Sequence, residues 1–83
     1  MSKSHFDIKV SPREFIAIEN GEKKHFLYDT KEYVIDTYDI LHFREWTESD
    51  GYSGRHIDGE VTYTEDKSKR PDLDFGCASF KLF

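Results

Sequence analysis

Residues 40–65 read ILHFREWTESDGYSGRHIDGEVTYTE. Two alternating runs flank a glycine-rich middle, and that pattern decides the fold. In ILHFREW, Leu41, Phe43 and Glu45 share one face, while Ile40, His42, Arg44 and Trp46 share the other. In RHIDGEVTYTE, Ile57, Val61 and Tyr63 point one way, and His56, Asp58, Glu60 and Thr62 point the other. Asp50-Gly51 and Ser53-Gly54 are turn chemistry, since glycine tolerates positive φ. The stretch reads as a β-hairpin with strands over 40–46 and 55–65. Gly59 marks the place for a bulge or bend.

Similar alternation continues on both sides. HFDIKV, residues 5–10, puts Phe6, Ile8 and Val10 on one face and His5, Asp7 and Lys9 on the other. SPREFIAIENG follows. Ser11 can cap a helix, Pro12 fits its first position and Glu14 completes an S-x-x-E capping box. Phe15 and Ile18 face inward, and Gly21 stops the helix, so a helix is expected over 12–20. KHFLYD, 24–29, is a second strand. In TKEYVIDTYD, Tyr33 and Ile35 anchor a short loop or 3₁₀ turn. Residues 65–74 form a charged surface loop around Pro71. FGCASFKLF closes the chain as a strand with Ala78, Phe80 and Leu82 on one face.

Eighty-three residues make one domain, 1–83, with a thin core. A chain of this size buries only about 60–65 % of its unfolded surface. Seven Phe, five Tyr and one Trp compensate, because each ring buries a large area. The expected class is α+β, mainly β: a small barrelled sheet of about five strands, with one N-terminal helix across an opening. Closure would also hide strand edges. The chain is too short for a doubly wound parallel sheet.

The net charge of −5 counts against strong non-specific nucleic-acid binding, though an acidic body can carry a local basic cleft. Cys77 is the sole cysteine, which excludes an internal disulfide and a cysteine-based zinc site; it reads as a buried small hydrophobe. His5, His25, His42 and His56 have no metal-ligand spacing, and no cofactor is expected. The start MSKSHFDIKV lacks the apolar run of a signal peptide, and no stretch approaches the roughly 20 apolar residues of a membrane helix. The expectation is a soluble, cytoplasmic protein.

Taken together, SPREFIAIENGEK, YDILHFREW and GYSGR, with the closing strand, resemble the ASCH (activating signal cointegrator homology) domain, and more closely a small bacterial and phage branch of it. The resemblance runs from about His5 to Phe83. It implies a PUA-like β-barrel with a helix beside a cleft, and RNA or a modified nucleoside as ligand. The family motif G-x-K-x-x-E-x-R is matched at Gly21 and Lys23, whereas Phe26 and Tyr28 occupy the Glu and Arg places. Two aromatics on one strand face replace a charge pair with stacking surface. Lys9 matches a lysine of the branch, Glu45 an acidic residue, and Tyr52, Gly54 and Arg55 the turn.

The candidate nucleic-acid-binding residues are therefore Lys9, Lys23, Tyr28, Arg44, Trp46, Tyr52 and Arg55. Rings stack bases, and arginine planes stack and hold phosphate. Each has a plainer reading: Lys23 as a solvated cation at a helix end, Trp46 as packing, and Arg55 as one candidate, with Lys9 or Lys23 another, for the partner a buried Glu45 would need. The alternative is a small amidohydrolase acting on an acylated nucleoside, with Lys23 and Glu45 as catalytic groups, although Phe26 stands where that chemistry would want a hydroxyl. A third class is a protein-interaction or phage accessory factor that mimics nucleic-acid charge; the 17 acidic residues, spread along the chain, form no run that favours it.

Overall fold

A computed structural model describes residues 3–65 and 75–83. The elements are β1 (His5–Val10), α1 (Pro12–Glu19), β2 (His25–Tyr28), β3 (Ile40–Thr47), β4 (Gly51–Glu65) and β5 (Gly76–Leu82). The strands form one curled sheet, a half-barrel, in the order β1-β3-β4-β5-β2. β1 runs parallel to β3, with His5 opposite Ile40 and Val10 opposite Glu45. All other pairs are antiparallel. The fold is mainly β with one helix, as the alternation implies. The expected loop over 65–74 lies outside the described residues beyond Glu65.

α1 forms where its caps require. Ser11 Oγ accepts from the Glu14 amide at 3.2 Å and donates to the Glu14 carboxylate at 3.2 Å. At the other end Gly21 adopts φ 77°. The amides of Gly21 and Glu22 then bond to the carbonyls of Ile18 and Ala17, the paired bonds of a Schellman motif. Phe15 and Ile18 are buried against the sheet. Leu41, Phe43, Val61 and Ala78 are wholly inaccessible at its concave centre. Phe43 packs against Phe80 at 4.7 Å and edge-on against Phe26 at 5.8 Å.

Several expectations need correction. The hairpin turn precedes Gly51, and GYSGR already belongs to β4. Arg44 pairs with His56 and Trp46 with Tyr52, so Ser53, Gly54 and Arg55 all stand opposite Glu45 alone. This wide bulge needs the positive φ of Gly54, 93°. A second irregularity falls between Val61 and Tyr63 rather than at Gly59. It turns Tyr63 outward and brings Thr64 inside, with 4 % exposure. Gly59 instead admits β5 closely: a Cβ there would meet the Lys81 carbonyl oxygen at 3.0 Å. Cys77 is only half-buried, on the outer face.

The loop before β3 is built as a pair of anchors. Ile35 is in the core, and Tyr33 lies edge-on to Phe6 at 5.9 Å. Asp39, which drew no notice in the sequence, is buried and accepts from the amides of Ser4 at 3.1 Å and Asp36 at 2.8 Å. It thereby ties the start of β1 to the entry of β3.

Candidate functional site

β1 and β2 are the free edges of the curled sheet, and the seam between them is a cleft of about 390 Å³. Its floor is apolar: Ile8 and Val10 from β1, Ile18 from α1, Phe26 from β2 and Phe43 behind them. Its rim is polar, with Lys9, Glu14, Lys23 and His25. An apolar pocket with a few charged groups at its mouth, at this volume, suits a small planar ligand. Along the same seam a second opening of about 340 Å³ shares Ile8, Lys9, Phe26 and Leu27 and is bordered by Asp7, Asp29 and Glu32.

Lys23 enters the cleft because the Schellman reversal folds the chain back beside the first turn of α1. There its ammonium donates to Glu14 at 3.0 Å. Burial pushes the Glu14 carboxyl up, but Lys23 and the Ser11 bonds together outweigh it and hold it below its ordinary value of 4.5. Glu14 is thus ionised at neutral pH and offsets part of the Lys23 charge. The sequence showed Glu14 only as a capping residue, since nothing local reveals that Lys23 returns to it.

Glu45 and Arg55 do meet, but away from the seam. Arg55 Nη1 lies 3.6 Å from Glu45, whose side chain is nearly buried; its other nitrogen lies 3.5 Å from Glu19. The guanidinium also covers the Phe15 ring at 4.6 Å. Arg55 is therefore a strut between the β4 bulge and α1. Arg55→Ala should lower stability by about 1–2 kcal/mol, because it strands Glu45 while the arginine itself is half in solvent. Denaturant midpoints of the wild type, Arg55→Ala and Arg55→Ala/Glu45→Gln check this; the double variant should recover part of the loss.

The remaining candidates divide. Tyr28 is buried, with one edge on the second opening. Arg44, Trp46 and Tyr52 lie on the outer face of β3 and β4. There Lys9 stands over the Trp46 ring at 4.3 Å, and Arg44 over the Tyr52 ring at 5.3 Å. Lys9 and Tyr52 belong to both groups, since each also lines the second opening. Lys23 and Glu45, the catalytic pair of the amidohydrolase reading, are not brought together: Glu45 is absent from the cleft lining and faces Arg55.

One polar line escaped the sequence altogether. His5 Nδ1 and His42 Nε2 are 2.9 Å apart, and His42 Nδ1 lies 2.6 Å from Asp58. The rings are nearly parallel, with centroids 5.2 Å apart, which is the nitrogen separation plus one ring radius at each end. They therefore meet edge to edge in one plane rather than face to face. With Asp58 accepting, a neutral His42 donates from Nδ1, and its Nε2 then accepts from His5 Nδ1–H. Alternation had put all three on outer faces; the β3–β4 register sets His42 opposite Asp58, and the β1–β3 pairing brings His5 beside His42. Among the described residues, no group of three or more His, Cys, Asp or Glu is arranged to hold a metal ion. No helix among them is long and apolar enough to cross a membrane.

Fold and site together define a small α+β half-barrel domain with an amphipathic cleft at its unclosed seam. Within that class the chain belongs to the family described as "Domain of unknown function (DUF3850)", which matches residues 5–76. No curated protein matches the chain.

Proposed function

We propose that the protein binds RNA or a modified nucleoside, with the base held in the seam cleft beside α1. The observation that carries this reading is the cleft itself: aromatic and aliphatic side chains form its floor, and Lys9 and Lys23 stand at its mouth. Base rings gain from stacking on such a floor, and cations at the rim suit a phosphate or a base carbonyl. The resemblance to ASCH domains and their PUA-like fold points the same way, with Lys23 at the motif lysine. The amidohydrolase alternative draws less support, because the acid against Lys23 is Glu14, already engaged by Ser11.

Titration of the protein with ribonucleosides and short RNAs at low salt tests the proposal. Saturable binding is expected, weakened about tenfold or more by Lys23→Ala, the loss of a charge-assisted contact. Circular dichroism should show that variant folded. The absence of saturable binding to any of them, together with a silent Lys23→Ala, would remove the proposal.

A further inference from the structure

Of the four candidate cations, two are already committed within the protein. Lys23 is paired with Glu14, and Arg55 with Glu45 and Glu19. Among the described residues, neither Lys9 nor Arg44 forms an ion pair. These two are direct register partners across β1 and β3, so both project from the outer face side by side. Trp46 and Tyr52 are register partners across β3 and β4 on that same face. The result is a tile of two cations and two rings, each cation over a ring. Tyr52 is 52 % exposed. Beside Trp46 an apolar recess of about 490 Å³ runs past Val10 and Pro12 and again includes Lys9.

We infer that the recognised base belongs to a single strand whose neighbouring nucleotides lie on this outer tile, over Lys9, Arg44, Trp46 and Tyr52. The inference rests on the seam reading and adds the route of the strand. Alternating rings and cations are the pattern that single-stranded nucleic acid requires, bases on the rings and phosphates on the cations. Lys9 borders the cleft, the recess and the second opening alike, so a strand crossing β1 passes from base site to tile without a break. The second opening, which Tyr52 lines as well, is bordered by Asp7, Asp29 and Glu32, and these carboxylates repel a phosphodiester chain that turns along the seam. An acidic protein partner would meet the same two cations but has no need of two flanking rings.

Binding of a random-sequence RNA octanucleotide and of the four ribonucleosides, to wild type and to Arg44→Ala and Tyr52→Ala, tests the route. The octanucleotide should bind more tightly than any nucleoside. Tyr52→Ala should weaken it by roughly 5- to 150-fold, the range for one stacked base. Arg44→Ala should reduce the slope of log K against log salt by about 0.7, one phosphate contact on a single strand. Nucleoside affinity should be unchanged in both variants. Nucleoside binding with no gain for the octanucleotide, or a gain that both variants retain, overturns the tile and leaves the seam. Octanucleotide binding that is lost in the tile variants, without any nucleoside binding, upholds the tile and overturns the seam. No binding of either probe overturns both.

Discussion

Phe43→Ala should lower stability by about 3–5 kcal/mol, the usual cost of deleting a fully buried phenyl ring. Phe43 has no exposed surface and sits where Phe26, from one edge of the sheet, meets Phe80 beside it. A domain of this length has only about 4–12 kcal/mol in total, so the variant loses about a quarter of that or more. Phe43→Leu, which keeps most of the volume, should lose less than about 1.5 kcal/mol. Urea unfolding followed by far-UV circular dichroism measures both. A loss under about 1 kcal/mol for Phe43→Ala would mean that the aromatic cluster is not what holds the half-barrel together. Because Phe43 also forms part of the cleft floor, the leucine variant is the one in which ligand binding is informative.

Gly76→Val should cost about 2–3 kcal/mol by overpacking. Tyr28 lies across its cross-strand partner Gly76. A Cβ at residue 76 would stand 2.6 Å from Tyr28 Cε2 and 2.7 Å from its hydroxyl oxygen, and would press on Cζ as well. The ring is 5 % exposed and packs against Phe26, so it has little room to retreat. The mechanism is tested by a double-mutant cycle: in a Tyr28→Ala background Gly76→Val should cost far less, since the obstructing ring is gone. Equal cost in both backgrounds would show that the clash is not the cause. The same geometry revises the role of Tyr28. Its place in the ASCH-like motif suggested a stacking surface for a ligand, yet most of the ring is used in filling the notch that Gly76 leaves.

The site was legible where it depends on local chemistry. Ser11, Pro12, Glu14 and Gly21 announced α1, because caps act on the backbone within one turn. Arg44 and Trp46 stood out as a cation and a ring at a strand end, Lys9 by the resemblance and Tyr52 as part of the expected turn; those four come together because GYSGR belongs to β4. Lys23 stood out by its spacing from Gly21 and does reach the cleft. Arg55 and Glu45 were matched correctly as a pair, but the pair braces α1. The sequence could not show this, since the distance from Arg55 to Glu19 is set by the docking of a helix 36 positions away. Glu14 was hidden for a related reason: its capping role is local, whereas its contact with Lys23 depends on how the chain reverses after Gly21.

Alternation also failed wherever a bulge interrupted it. Counting by twos from Ile57 assigns Tyr63 to the interior, but the register break after Val61 hands that place to Thr64. The three residues opposite Glu45 likewise turned an apparent loop into part of β4. A period of two carries no memory of an inserted residue, so the single extra residue after Val61 inverts the assignments beyond it, whereas the two extra residues opposite Glu45 leave Tyr52 and His56 on the same face.

By itself, then, the sequence determined the single helix and its limits, the presence of five strands, and which side chains of β1 and β3 face inward. These follow from hydrogen bonding and side-chain direction over a few residues. Only the tertiary structure decided that β1 lies parallel to β3 while β2 crosses to the far edge beside β5. That choice leaves β1 and β2 facing each other across an open seam, and it creates both the cleft and the outer tile. The physical reason is that strand order is settled by the burial of faces contributed from distant parts of the chain, a competition to which no short stretch of residues has access.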